Sequence, residues 1–322
     1  MLVKIGALWY NTDMETWMII LIVSASILVS ASLGFVIASA AFFKRTFGRR
    51  KFVFGKGGAK YGVCPEWFDA PEISAATSDL SVTSFDGLKL AAKIIRAREN
   101  NGRLAIIQHG YRTDYRVMQP YAQMFYERGY DVLLPSARAH GDSEGEYIGM
   151  AWLDRFDVLR WIDKVNELYS GKANIVLFGV SMGGSAVAAA CGMSPPLNVK
   201  CVIDDCGFSS ISDEYDAFFA DKPVLGKIMR PSLDAAMRLK LGYSIGDADI
   251  TELVKNASVP ALFVHGTKDG FVPYSLGRKL YSAYAADKEF LSVDGAEHAR
   301  CYAFDKDAYV SAVCGFADKY CK

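Results

Sequence analysis

Residues 173–184 read ANIVLFGVSMGG, an apolar run that ends in the pattern Gly-x-Ser-x-Gly. The run has the composition of a short β-strand, and the small-residue segment 184–190 that follows is typical of a helix. In this strand–turn–helix context, a serine lies on a sharp, strained turn above a sheet. Gly179 and Gly183, two residues either side of the serine, let the strand and helix backbones approach each other. Ser181 is therefore the candidate nucleophile, and an ordinary glycine-rich turn is the alternative.

A serine hydroxyl is hardly ionised at neutral pH, so a nucleophilic serine needs a base. The sequence holds four histidines, His109, His140, His265 and His298. Folds built around such an elbow carry the acid and then the histidine after the serine, which leaves His265 and His298. His265 ends an apolar strand, whereas His298 lies in the turn-like segment 294–299, which can deliver an imidazole without disturbing the sheet. We predict that His298 is the base, with His265 as the alternative.

The imidazole in turn needs an acid that holds its tautomer and stabilises the imidazolium. Asp269 lies in the loop that follows the apolar strand 260–264. Its rival, Asp205, ends the strand that begins near residue 199. Each aspartate could instead cap its own loop. We predict that Asp269 is the acid.

An oxyanion hole requires two backbone N–H donors. The first is predicted at Met182, directly after the nucleophile. The second is predicted at Tyr111, because His109 and Gly110 end the apolar run 104–108 and allow the backbone to turn toward the serine. The alternative for this loop is an ordinary turn at the end of a strand.

Together these motifs resemble those of the α/β-hydrolase superfamily, and more narrowly its serine aminopeptidase and monoacylglycerol-lipase-like branch. The resemblance covers about residues 79–320 and rests on segments 109–111, 179–184, 265–273 and 295–298. Segment 135–143 is similar to the family's Asp-x-Arg-x-His-Gly-x-Ser stretch, with Ser136 where an aspartate is usual. His140 is therefore interpreted as a structural loop residue. The resemblance implies a serine hydrolase, and we expect neither a metal nor an organic cofactor.

Apolar runs alternate with helical patterns along most of the chain, which predicts a mostly parallel sheet with helices on both faces. With the resemblance, this pattern implies the α/β-hydrolase fold. Segments 80–85 and 88–96 predict a hairpin around Asp86-Gly87. A helix is predicted at 151–169, and further strands at 104–108, 130–135, 174–178, 199–204, 261–264 and 290–293.

An insertion at about 207–249 is predicted to form a short helical lid. Its apolar residues either line an acyl or lipid pocket or form the buried stripe of short helices packed on the sheet. They are Phe208, Tyr215, Phe218, Phe219, Leu225, Ile228, Met229, Leu233, Met237 and Leu241. The acidic residues Asp213, Glu214 and Asp216 either hold a substrate ammonium or begin a solvated helix.

Composition excludes several other classes of protein. Lys and Arg number 36 and Asp and Glu number 36, so nothing indicates a nucleic-acid partner. No phosphate-binding loop and no cysteine–histidine set with zinc spacing occurs. The seven cysteines are scattered among apolar segments, which is typical of reduced, buried thiols rather than a disulfide framework.

The segment 16–43 contains no charged residue and would be about 42 Å long as a helix, enough to cross the hydrocarbon core of a bilayer. We predict a single transmembrane helix there, with removal as a signal peptide after Ala38-Ser39-Ala40 as the alternative. Basic residues follow the span, which places the rest of the chain in the cytoplasm; they are Lys44, Arg45, Arg49, Arg50 and Lys51.

The predicted organisation is therefore an extension at 1–15, the membrane helix at 16–43, a tether at 44–78 and the hydrolase domain at 79–322. A stripe of small residues along the membrane helix allows weak self-association, although such residues are frequent in single-pass helices. The stripe consists of Ser26, Ser30, Gly34 and Ala38.

These observations predict a membrane-anchored serine hydrolase that cleaves a carboxylic ester, of intermediate or lipid-like size, through an acyl-enzyme. A serine peptidase acting on short peptides is the first alternative, and acyl transfer to another alcohol shares the same intermediate. A catalytically silent binding protein of the same fold is a third reading.

Overall fold

The computed structural model describes residues 2–50, 66–99 and 101–321, with side chains from residue 14 onward. The strands are β1 (Thr77–Thr83), β2 (Lys89–Ile95), β3 (Arg103–Gln108), β4 (Asp131–Pro135), β5 (Asn174–Val180), β6 (Val199–Asp205), β7 (Ala261–Gly266) and β8 (Lys288–Val293). The helices are α1 (Leu2–Phe47), α2 (Glu66–Asp69), α3 (Pro71–Ala76), α4 (Gln119–Tyr126), α5 (Asp154–Tyr169), α6 (Met182–Cys191), α7 (Ile211–Phe218), α8 (Pro223–Leu241), α9 (Ile250–Val254), α10 (Tyr274–Ala283), α11 (Cys301–Phe304) and α12 (Lys306–Tyr320).

The eight strands form one sheet in the order β1-β2-β4-β3-β5-β6-β7-β8. Strand β2 runs antiparallel to both neighbours, and the remaining pairs are parallel. The predicted hairpin and the mostly parallel sheet are confirmed. The predicted strands match within a few residues, and α5 begins at Asp154 rather than at residue 151 because Met150 and Ala151 have positive φ.

Two hydrophobic layers lie on opposite faces of the sheet. One contains Trp161 of α5 with the buried faces of α6 and α8. The other contains Phe125 of α4 and Tyr309 of α12. Strands β3 to β7 are buried on both faces, which explains why the sequence shows continuous apolar runs there instead of an alternating pattern.

Helices α7 and α8 occupy the segment predicted as a lid, and we call them the cap. The alternative that the apolar residues of the insertion form a buried stripe is confirmed for part of them, and the alternative that they line a pocket stays a prediction. Five are buried against the domain: Phe208, Tyr215, Phe219, Leu233 and Met237. Phe218, Leu225 and Ile228 are exposed.

Helix α1 contains the predicted membrane segment and continues beyond it. Its part Met14–Phe47 is long and apolar enough to cross a bilayer. The first residues of the predicted tether do not run free, since Phe47 is buried in the core and Gly48 forms an antiparallel bridge with Tyr147. Residues 51–65 of that tether lie outside the described residues, and the start of the domain at residue 79 stays a prediction.

Candidate active site

The carboxyl ends of the parallel strands bring the predicted site residues to one edge of the sheet. Ser181 directly follows β5, and His298 and Asp269 lie in the loops after β8 and β7. His298 Nε2 lies 3.0 Å from Ser181 Oγ, and His298 Nδ1 lies 2.7 Å from Asp269 Oδ2. The structure thus joins these three side chains in one hydrogen-bonded chain.

The turn that carries Ser181 is strained, with φ 57° and ψ −122°. Two glycines permit this turn, because side chains there would meet backbone. A Cβ at Gly179 would lie 2.2 Å from the carbonyl oxygen of Gly183, and one at Gly183 would lie 2.2 Å from that of Gln108 in β3. The close contact of β5, α6 and β3 therefore requires the Gly-x-Ser-x-Gly pattern.

Asp269 is held by four donors. Its Oδ1 accepts the backbone N–H groups of Phe271 and Val272, each at 2.9 Å. Its Oδ2 faces His298 at 2.7 Å and His265 Nε2 at 3.3 Å. Burial alone would raise the pKa of Asp269, but the hydrogen bonds from His265 and His298 outweigh burial and hold this pKa well below its usual range. The carboxylate therefore stays ionised at neutral pH.

The alternative base and acid occupy supporting positions. His265 is buried, and its Nε2 also donates to the carbonyl of Val272 at 3.0 Å, so it braces the loop that carries Asp269. Asp205 accepts the hydroxyl of Tyr309 at 2.7 Å, while its backbone carbonyl accepts the N–H of Ser181 at 2.7 Å. Asp205 thus supports the backbone of the elbow, and its carboxylate makes no hydrogen bond to His298 among the described contacts.

The two predicted oxyanion donors belong to segments that adjoin the serine. Met182 is the first residue of α6, so its N–H has no partner one turn earlier in the helix. The backbone before Tyr111 touches the elbow, since a Cβ at Gly110 would lie 3.1 Å from the carbonyl oxygen of Val180 and 3.3 Å from Ser181 Cβ. The segments that carry both residues therefore adjoin the serine, and the oxyanion role of their N–H groups stays a prediction.

Two buried histidines hold the loop that contains Tyr111, a role that sequence reasoning missed. His109 Nε2 accepts the N–H of Ala137 at 3.0 Å, and His140 Nε2 accepts the N–H of Arg112 at 3.0 Å. Burial lowers the pKa of His109 to about 4 and that of His140 to about 3, so both rings are neutral acceptors at neutral pH. The motif 135–143 predicted a structural role for His140, but not its contact beside the proposed oxyanion donor.

Residues 99–234 match the model of the family described as serine aminopeptidase, S33. The chain is 26% identical over 219 residues to the Bacillus subtilis protein YqkD, described as uncharacterized, across 66% of this chain and 70% of that protein.

The structure of the present chain is similar to that of the Pyrococcus furiosus esterase Pf2001, with a TM-score of 0.64 and 20% identity. The similarity covers 85% of this chain and 100% of the esterase chain. The structure is also similar to the Pyrococcus horikoshii acylaminoacyl peptidase, with a TM-score of 0.55, 18% identity and coverage of 76% and 42%. These comparisons show that the chain has the α/β-hydrolase fold.

The acidic residues on α7 differ in their partners. Asp213 accepts from Lys279 at 2.7 Å, and Asp216 accepts from Arg230 at 3.1 Å. Glu214 Oε2 is buried and has no hydrogen-bond partner within the described part of the chain. Burial, with the nearby charge of Asp269, raises the pKa of Glu214 to about 8.

One group of potential metal ligands lies in the same site. The ligand atoms of Cys206, Asp269 and His298 lie within 4.8 Å of one another. However, Asp269 and His298 are already bonded to each other, and burial raises the pKa of the Cys206 thiol well above its usual range. A protonated thiol is a poor metal ligand, so the arrangement fits an acid–base pair better than a metal centre.

Proposed function

We propose that this α/β-hydrolase is a membrane-anchored serine hydrolase that cleaves carboxylic esters through an acyl-enzyme on Ser181. The observation that carries the proposal is the unbroken hydrogen-bond chain from Ser181 through His298 to Asp269. A hydroxyl, an imidazole and an ionised carboxylate in this order form the arrangement that activates a serine.

In the proposed reaction, Ser181 Oγ attacks the carbonyl carbon of the ester while His298 Nε2 takes its proton. The N–H groups of Tyr111 and Met182 stabilise the oxygen anion of the tetrahedral intermediate. His298 then returns the proton to the leaving alcohol, and the C–O bond to that alcohol breaks. Water then attacks the acyl carbon while His298 Nε2 takes a proton from it, and His298 gives this proton to Ser181 Oγ as the ester bond to the serine breaks, which releases the carboxylic acid. Asp269 orients His298 and stabilises its protonated form throughout.

The partners of the acidic residues on the cap favour an ester over a peptide with a free amine. Asp213 and Asp216 are paired with Lys279 and Arg230, so each carboxylate already has a cationic partner that a substrate ammonium would have to displace. The esterase Pf2001 shares the fold across its whole chain.

An aminopeptidase is the second candidate, and Glu214 is the observation that favours it. Its buried, unpartnered carboxyl oxygen lies near Asp269 and would gain a partner if a substrate ammonium bound there. The match to the serine aminopeptidase family points the same way. Acyl transfer to an alcohol other than water would use the same acyl-enzyme.

Helix α1 supports the membrane part of the proposal. Its apolar stretch is followed by exposed basic residues, and this charge bias supports a cytoplasmic location for the domain. A small ester or lipid would then reach the site from the membrane or the cytosol.

The experiment that tests the proposal compares chromogenic acyl esters with aminoacyl-arylamides on the full chain in membranes. We expect hydrolysis of the esters, lost in both Ser181→Ala and His298→Ala. Hydrolysis of the arylamides alone would overturn the esterase and support the aminopeptidase.

A further inference from the structure

Helix α8 exposes a stripe of apolar side chains that the domain core does not use. Together with Phe218 at the end of α7, we call it the cap stripe; its members are each 44–81% exposed and are Phe218, Val224, Leu225, Ile228 and Leu239. Leu233 and Met237 of the same helix point into the core and are buried. A helix with a buried apolar face and a second, exposed apolar face needs a further apolar partner.

The cap stripe is fixed to helix α1. Ser232 Oγ lies 2.8 Å from Ser39 Oγ, and the rings of Phe218 and Phe42 lie 6.0 Å apart. Ser232 follows Ile228 by four residues and precedes Leu239 by seven, so all three share one face of α8. The stripe therefore extends to both sides of the point where α8 meets α1.

That meeting point lies at the end of the apolar, exposed part of α1. Large apolar side chains are exposed from Met14 as far as Ile37, a stretch about 36 Å long that matches a tilted crossing of a hydrocarbon core of about 30 Å. Ser39, which touches α8, comes two residues after Ile37. If α1 crosses the bilayer, α8 lies at the level of the lipid headgroups.

The charges beside the cap stripe suit an anionic lipid surface. Lys222, Lys227 and Lys240 are exposed on or next to α8, with Asp221 as an opposing charge at one end. Asp216 and Asp234 are paired with Arg230 and Arg238. Basic side chains around an apolar stripe are the features with which helices bind membrane interfaces.

We propose that the cap stripe is a second membrane-contact surface, which lies in the interface of the same bilayer that α1 crosses. The bilayer would then hold the cap next to the lipid, so that an acyl ester dissolved in the membrane reaches the site beneath the cap. This inference rests on the proposed membrane-spanning role of α1.

Photo-cross-linking of the full chain in vesicles of phosphatidylcholine and phosphatidylglycerol tests it. A photoreactive amino acid replaces Ile228 in one variant, Leu28 in the middle of the α1 stretch in a second, and Leu197 in a third. Leu197 is 94% exposed and lies just before β6, at the opposite end of that strand from Asp205. It is a matched control for an exposed apolar residue away from the membrane. Mass spectrometry then detects lipid adducts.

We expect lipid adducts at positions 228 and 28 and none at position 197. Adducts at position 28 alone would overturn the cap stripe as a membrane surface while leaving the membrane helix intact. Adducts at none of the three positions would overturn the membrane helix and the cap stripe together. Adducts at all three would mean unspecific contact and would also overturn the cap stripe.

Discussion

The hydroxyl of Tyr111 donates a 2.6 Å hydrogen bond to the backbone carbonyl of Thr46, in the last turn of α1. The last carbonyls of a helix have no partner within it, and here the domain supplies them. The Arg112 guanidinium donates to the carbonyls of Arg45 and Thr46, and the N–H of Ile148 donates to that of Phe47 at 2.7 Å. The end of the proposed membrane helix is thus bonded to the loop that carries a proposed oxyanion donor.

Tyr111→Phe removes this hydroxyl and keeps the ring. We expect kcat for a water-soluble ester to fall by about three- to tenfold, the equivalent of one net hydrogen bond, because the loop loses its support at α1. Steady-state kinetics in detergent measure it. Tyr284→Phe is the matched control, since it removes a 2.7 Å bond from a tyrosine hydroxyl to the carbonyl of Val259, away from the site. Equal losses of kcat in both variants would contradict a specific role for the contact between Tyr111 and Thr46.

His140→Phe removes the acceptor of the Arg112 N–H beside Tyr111. A buried amide without a partner costs about 1–3 kcal/mol, so we expect a lower melting temperature together with a lower kcat and a nearly unchanged KM. His140→Gln keeps an acceptor and should recover part of kcat. If His140→Gln and His140→Phe lose kcat equally, the hydrogen bond does not position the loop.

The lowered pKa of Asp269 predicts how stability and activity depend on pH. The hydrogen bonds of the folded state lower this pKa, so the stabilisation they give is present above the pKa of an unfolded aspartate, about 3.9, and is lost as the pH falls further. We therefore expect that protonation of Asp269 does not cause any loss of ester hydrolysis between pH 5 and pH 8.

Asp269→Asn should lower kcat by about 10⁴ because the imidazole loses the acceptor that fixes its tautomer. A variant that keeps most of the wild-type kcat would exclude Asp269 as the acid.

The raised pKa of Glu214 predicts how the stability of the protein changes with pH. Its pKa is raised to about 8, first by burial, so the folded protein holds a proton there that the unfolded chain releases at about pH 4. The protein should therefore lose stability at this site as the pH rises from 4 to 8, and Glu214→Gln should be increasingly more stable than the wild type over that range.

The kinetics of Glu214→Gln distinguish the two candidate functions. If the protein is an esterase, Glu214→Gln should leave kcat/KM for neutral esters within about twofold, since no charge on the substrate needs Glu214. Asp216→Asn, which removes an exposed partner of Arg230, is the control on the same helix. A large loss of arylamide hydrolysis that is confined to Glu214→Gln would favour the aminopeptidase.

The sequence predicts the sheet because each central strand is buried on both faces and leaves an uninterrupted apolar run. It also predicts the elbow, because the backbone at Gly179 and Gly183 has no room for a side chain. The choice between Asp269 and Asp205 depends on the lengths and directions of loops, which local patterns do not determine. The bond between Tyr111 and Thr46 joins residues 65 positions apart through a backbone carbonyl, which leaves no trace in residue types. The division of the cap residues into a buried and an exposed face likewise follows from where α8 meets α1.

The central claim is that Ser181 is the nucleophile, and covalent labelling tests it most directly. The full chain in its membrane fraction is treated with a fluorophosphonate, and the modified peptide is mapped by mass spectrometry. Ser282→Ala, an exposed serine on α10, is the control. We predict one adduct on Ser181, unchanged in Ser282→Ala and absent in Ser181→Ala. Equal labelling of the wild type and Ser181→Ala would contradict the account.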